Sequence, residues 1–373
     1  MGSRSVRRAI REDLKVTALK PAQEQEYEWI FFHWMPYDNN LWRHEASICE
    51  MLVRGIQSER ILAVLVSDLL GEEMLTRRTI SGGQIIHEEA LPVADSSSAQ
   101  IYADNLAWLG THYDANKWAI VFLGHGGRLD EISPDDHPES RPRSNIQWMN
   151  IQDIATALEA FNQKIAGRVE LLFLQNCCKG TLENLYTFRH SARYTLASQT
   201  RIGAPNHYYE GFFQSLGKDP YGNGAEIAER LVSFEREHMY NGFALIDNAA
   251  MDKLPAHLDP LINAIVSRET QAHLTSNITG YEHMNEYLVD LLSLFGSVTH
   301  QVGAEQRIYG DFERYFTSQL RLRHMESPRA DKKNLSGISV YFPSLPEDLN
   351  RYRHLDIYSD TRLADLFDIV VPF

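Results

Sequence analysis

Cysteine is scarce: the 373 residues contain three, Cys49, Cys177 and Cys178. Any single pairing leaves one thiol over, and Cys177 and Cys178 are neighbours, which bridge only with strained geometry. A disulfide framework is excluded. No CxxC or HExxH spacing occurs, so a structural zinc site or a zincin centre has no ligand set. No uninterrupted apolar stretch approaches the ~18 residues that span a bilayer. Positive charge is in deficit, with 36 Lys and Arg against 50 Asp and Glu and a net charge of −14. That balance works against a polyanion-binding surface, so neither nucleic acid nor membrane is expected as a partner. The N-terminal stretch is basic (Arg4, Arg7, Arg8, Arg11) without the apolar run of a signal peptide. Together these absences predict a reduced, cytoplasmic protein.

What is present is an ordinary globular composition, 43% hydrophobic and 23% charged, with no internal repeat or low-complexity tract. Apolar runs at residues 29–35, 61–65, 118–123, 169–174 and 194–198 read as strands, and 77–86 as a hairpin around Gly82-Gly83. Amphipathic stretches at 41–56, 99–111, 150–164 and 182–189 read as helices between them. Nearly continuous apolar strands alternating with helices predict an α/β sandwich with a mainly parallel central sheet. Beyond residue 220 the pattern turns helical, at 225–237, 260–273, 281–298 and 305–322, with one last strand signal at 337–343 that could rejoin the sheet. The expected organisation is an N-terminal extension (1–25), an α/β core (26–220) and a helical C-terminal region with a returning strand (221–373).

In open parallel sheets, functional groups collect beyond the carboxyl ends of the strands. Two such ends carry the parts of thiol catalysis. His125 follows the strand 118–123 within Gly124-His125-Gly126-Gly127, and Cys177 follows 169–174 within Gln175-Asn176-Cys177-Cys178. The separation of about 50 residues is one known for cysteine proteases. A thiol beside an imidazole becomes the nucleophilic thiolate, and the imidazole returns the proton to the leaving amine. The N–H groups of Gly126 and Cys177 form a candidate oxyanion hole if Cys177 opens a helix with unpaired N-terminal amides. No third catalytic partner is evident. The competing reading is a small buried Cys and a hydrogen-bonded turn His.

These segments resemble the clostripain-type cysteine peptidases, relatives of caspases, legumains, gingipains and separases. The resemblance covers most of the chain: 29–41 with its Asp38-Asn39-Asn40-Leu41 turn, the strand 118–123 ending in His125-Gly126, the element FLQNCCKGTLE (173–183), Leu196-Ala197-Ser198-Gln199, Asn206 to Tyr209, and GISVYFP (337–343). It implies a caspase-like fold and peptide-bond hydrolysis through a Cys177–His125 dyad and a thioacyl-enzyme. It also selects Cys177 over Cys178, because Gly180 and Glu183 then stand where the family's glycine and glutamate stand. Gln175 and Gln199, however, replace acids that the resemblance would place in a pocket for Arg or Lys. A neutral amide does not offset a buried guanidinium, so P1 specificity stays open, with Asp38 and Glu210 as acidic substitutes and Tyr209 as a further substrate contact.

The polar, proline-bearing segment 128–144 offers Arg143–Ser144 for self-cleavage, against the alternative of an uncut surface loop. No cofactor is certain; the acidic pairs Glu72-Glu73, Glu88-Glu89 and Asp135-Asp136 leave calcium open but lack the alternating EF-hand pattern. Expected partners are a protein or peptide substrate and, beyond it, an activating protein. A role in bacterial signalling or defence is an expectation from kinship alone. Two other classes remain: a catalytically silent adaptor, and another Cys-His acyl-transfer enzyme such as an amidase or transpeptidase.

Overall fold

The architecture follows from the first long apolar run. Strand β1 (Glu26–Tyr37) is buried along its whole length after Glu26. Its side chains alternate between two cores, as a period of two requires. Ile30, Phe32 and Trp34 join one core, with Tyr102 and Leu106 of helix Ala99–His112 and Ile154 and Leu158 of helix Ile151–Lys164. Trp29, Phe31 and Met35 join the other, with Ile48 and Leu52 of helix Glu45–Gly55 and Phe212 and Phe213 of helix Tyr209–Lys218. A strand that is apolar on both faces thus sits inside a three-layer sandwich. This computed structural model describes residues 26–92, 95–136, 146–268, 278–330 and 335–370. The N-terminal extension and the Arg143–Ser144 pair lie outside the described residues.

The remaining strands are β2 (Ile61–Leu69), β3 (Leu75–Ser81), β4 (Gln84–Leu91), β5 (Asp114–Leu123), β6 (Glu131–Asp135), β7 (Gln147–Asn150), β8 (Val169–Gln175), β9 (Ala192–Ala197), β10 (Gly242–Asp247), β11 (Gly280–His283), β12 (Glu286–Asp290), β13 (Arg321–Glu326) and β14 (Ser339–Phe342). Nine form one sheet in the order β13-β10-β9-β8-β5-β1-β2-β3-β4. The pairs from β9 through β8, β5 and β1 to β2 are parallel. Both flanks are antiparallel. The sheet is therefore mixed, a parallel centre with antiparallel edges, where the sequence predicted a mainly parallel one. The chain passes from β1 outward to β2 and returns to the other side of β1 as β5. That reversal opens a crevice beyond the carboxyl ends of β1 and β5, beside β8.

The second half differs more from its expectation. Residues 281–298 divide into the β11–β12 hairpin and helix Leu291–Gln301. The break lies at Met284 and Asn285, both with positive φ (51° and 62°), the geometry of a two-residue hairpin turn. The 337–343 strand pairs with β12 in a separate three-stranded sheet and does not rejoin the main one. Strands β10 and β13 extend the main sheet where helix or nothing was expected. No helix among the described residues is long and apolar enough to cross a membrane.

Candidate active site

Parallel pairing of β5 and β8 sets Leu123 opposite Gln175. His125 and Cys177 each lie two residues further on, so the two chemistry-bearing loops leave neighbouring strands in step.

The Cys177 loop is tied by main chain. Cys178 N–H donates to Thr200 O (2.9 Å) and Gly180 N–H to Ser198 O (2.8 Å), continuing the β8–β9 contact past the strand ends. A Cβ on Gly180 would stand 2.7 Å from Gln199 N and 2.8 Å from the Ser198 carbonyl carbon, so only glycine allows this approach. Cys178 is buried with φ 55°, while Cys177 is partly exposed. The next helix, Leu182–Thr187, begins only after Thr181, whose hydroxyl caps it. The expectation that Cys177 itself opens a helix is corrected: the extended pairing to residues 198–200 takes up the intervening backbone. Ile202 N–H donates to Cys177 Sγ (3.4 Å), and Sγ donates to Ile202 O (3.5 Å). Burial pushes the Cys177 thiol pKa up, opposed by the Ile202 amide and by the charges of Arg201 and Lys179.

The His125 loop is tied by one main-chain bridge, Gly126 to Ile132 with Gly127 N–H on Glu131 O (3.0 Å), and otherwise by side chains. Asn176 Nδ2 donates to Gly124 O (2.9 Å) and His125 O (3.3 Å). His283, at the end of β11, places Nε2 3.1 Å from Gly126 O. Lys179 donates to the carbonyls of Gly127, Arg128 and Leu129. Glu286, at the start of β12, accepts from Leu129 N–H (2.7 Å). The imidazole of His125 has its Nε2 2.7 Å from Asn40 Oδ1, in the turn after β1. An amide oxygen there selects the Nε2–H tautomer and leaves the Nδ1 lone pair as base. Burial lowers the His125 pKa, partly opposed by Asp136. Within the described residues no hydrogen bond joins the His125 ring to Sγ.

The other sequence-predicted residues are distributed as follows. Gln175 is buried, with Nε2 donating to Asn206 Oδ1 and to the Tyr209 hydroxyl (3.1 Å) and Oε1 accepting from the Tyr208 hydroxyl (3.0 Å). Gln175 and Tyr209 therefore do come together, and Asn206 and Tyr208 complete the group. Gln199 lies elsewhere: its amide donates to Asp290 and accepts from Gly337 N–H, fastening the end of β9 to the second half of the chain. Asp38 is buried beside Asp135, whose carboxyl is pushed well above the ordinary carboxylate range by burial and by Asp68, Asp38 and Asp95. It belongs to a carboxylate group behind the turn. Glu210 pairs with Arg54 at the surface. Glu183 is fully buried, accepting from Tyr341 N–H and the Tyr358 hydroxyl, and burial raises its pKa to about 7. Sequence reasoning missed Asn40, Asn176, Lys179 and His283. Asn40, Asn176 and Lys179 sat inside quoted motifs, and His283 had no signal.

Of the acidic pairs, Glu88 and Glu89 are bound to Arg78 and Arg77, Glu72 and Glu73 lie in an exposed turn, and Asp135 faces Asp38, Asp68 and Asp95; among the described residues no group of three or more His, Cys, Asp or Glu side chains is arranged to hold a metal.

The clostripain family's sequence profile matches residues 33–360. Comparison with the curated proteins gives no match. Among solved structures, the chain is similar to a secreted C11 cysteine protease from Bacteroides thetaiotaomicron in complex with an irreversible peptide inhibitor. The TM-score is 0.65 at 19% identity, covering 89% of this chain and 98% of that one. An inactive zymogen C11 protease from Parabacteroides distasonis is equally similar (TM-score 0.65, 19% identity, 90% and 99% covered). The fold is thus the caspase-like one of the C11 proteases. The cytoplasmic placement expected from the sequence is corrected: the first of these structures is of a protease described as secreted. Free thiols and acidic charge do not distinguish the two sides of a membrane.

Proposed function

The chain belongs to the clostripain family and is a cysteine peptidase, and from that premise we propose that it is an endopeptidase working through Cys177 and His125. The observation that carries this reading is the register of β5 against β8, which brings the two residues to the same level of adjacent loops. Cys177 Sγ attacks the scissile carbonyl while its proton passes to His125 Nδ1. The tetrahedral oxyanion accepts hydrogen bonds from the N–H groups of Gly126 and Cys177. The C–N bond breaks as His125 gives the proton to the leaving amine, leaving a thioester. Water then loses a proton to His125, its oxygen joins the acyl carbon, and the S–C bond breaks with the proton returning to Sγ. A raised thiol pKa and a lowered imidazole pKa favour the neutral pair at rest, so the thiolate forms as substrate is attacked.

A peptide or protein substrate is supported by the peptide inhibitor bound in the similar Bacteroides protease. The uncharged group Gln175, Asn206, Tyr208 and Tyr209 supports a pocket for an uncharged P1 side chain. Glu235, the acid beside it, has both oxygens occupied by the N–H of His207, and burial raises its pKa. Self-processing is supported by the zymogen description of the second similar structure. A cut after Arg143 and an uncharged P1 pull in opposite directions, so N-terminal sequencing of wild type and Cys177→Ala discriminates. An Arg143–Ser144 cut present in wild type and absent in Cys177→Ala would overturn the uncharged pocket. The function itself is tested with a fluorogenic peptide library varied at P1. Hydrolysis by wild type, lost in Cys177→Ala and fastest after uncharged P1, is expected; no hydrolysis by wild type contradicts the reading.

A further inference from the structure

We propose that Asn176 and Lys179, which flank Cys177 and Cys178, are positioning residues: they clamp the loop after His125 so that the Gly126 N–H faces the oxyanion. The proposal rests on the Cys177–His125 reading above. Six consecutive carbonyls, Gly124 through Leu129, each meet a side chain: the first two Asn176, the third His283, the last three Lys179. In a trans peptide the N–H points opposite its carbonyl. Holding the His125 carbonyl on Asn176 therefore fixes the direction of the Gly126 N–H, which is uncommitted among the described backbone hydrogen bonds.

Lys179 fits its task by donor count. An ammonium has three donors and no acceptor, and here Nζ lies 3.3, 2.5 and 3.3 Å from three successive carbonyl oxygens. The side chain is 1% exposed, and its stem runs under Gly126, where a Cβ would stand 2.9 Å from Lys179 Cε and 2.3 Å from Cys177 O. Burying an ammonium is unfavourable unless it is ligated, and the ligands are the backbone of the catalytic loop. The charged and titratable groups around it are Glu286 and His283 from the β11–β12 hairpin, Asp130 and Glu131 beyond the loop, and Cys177 and Cys178 from its own. Burial lowers the Lys179 pKa to about 8, so the clamp is charged at neutral pH and loses its charge in mild alkali.

The test separates oxyanion chemistry from thiol chemistry. Alkylation of Cys177 by iodoacetamide passes through no oxyanion, whereas peptide hydrolysis does. Lys179→Met and Asn176→Ala should lower kcat by about 10²- to 10³-fold, the range for loss of an oxyanion donor. KM should be little changed; the Cys177 alkylation rate should stay near that of wild type in Asn176→Ala and fall much less than turnover in Lys179→Met, which also removes a charge that favours the thiolate. Turnover within twofold of wild type in both variants, or a turnover loss matched by an equal alkylation loss, would overturn the clamp while leaving the peptidase reading intact. If neither variant unfolds cooperatively, wild type decides: kcat should fall as pH rises through about 8, and a kcat that does not fall there overturns the proposal. A wild type that hydrolyses no peptide overturns the reading and the clamp together.

Discussion

The two loops that meet at the site are built in opposite ways. The Cys177 loop is held by main-chain hydrogen bonds that extend the β8–β9 pairing, and it depends on the absence of a side chain at Gly180. The His125 loop has one main-chain bridge, Gly126 to Ile132 of β6, and otherwise side chains from β8's own extension and from the distant β11–β12 hairpin hold its carbonyls. A main-chain fastening resists most substitutions and fails at a glycine. A side-chain fastening fails piecemeal, and it can titrate.

The largest expected effect is at Gly126, where the backbones of the two loops come close. Gly126→Ala would press its Cβ against Cys177 O, so the loops must separate, and kcat/KM should fall by about 10²-fold or more. Retained near-wild-type hydrolysis would show that the loops do not need this contact. Gly180→Ala attacks the main-chain side, where the obstructing atoms are backbone and cannot rotate away. It should lower unfolding free energy by about 1–3 kcal/mol, read from denaturant midpoints, as overpacking does.

A smaller effect is expected at Asn40, which is exposed and acts only on the imidazole tautomer. Asn40→Ala should lower kcat by about tenfold, a fraction of the 10²–10⁴ that general acid–base catalysis supplies, without changing stability. The smallest effect contrasts the titrating side with the other. The Asp135 pKa is raised in the fold, so the native state holds a proton that the unfolded chain releases. Its stabilising contribution is complete below the unfolded value, near 4, and is lost as pH rises through the raised folded value. Asp135→Asn should flatten the fall of the melting temperature between pH 5 and 8; an unchanged slope would remove Asp135 from the account.

The same contrast explains what the sequence made legible. Strands β1, β5 and β8 are buried on both faces, so their apolar runs stood out, and the chemistry at their ends followed from position. Strand β13 is an edge strand whose residues 321–326 interleave Arg, His and Glu with Leu and Met, so it carries no apolar run. The β11–β12 hairpin resembles a helix in sequence because its turn uses Met284 and Asn285 rather than glycine. Gln199 was misread because its partners, Asp290 and Gly337, are 91 and 138 residues away. Asn176 and Lys179 stood beside the named nucleophile, but spacing does not say where a side chain points. Main-chain architecture is written in local pattern; side-chain fastening is written in pairs that only the fold brings together.

The central claim is that Cys177 is the nucleophile and His125 its base. The most direct measurement is mass-spectrometric location of the adduct formed with an irreversible peptidyl ketone electrophile. The account predicts one adduct per chain, on Cys177, absent from Cys177→Ala and strongly slowed in His125→Ala. An adduct on Cys178 or Cys49, or labelling indifferent to His125, would contradict it.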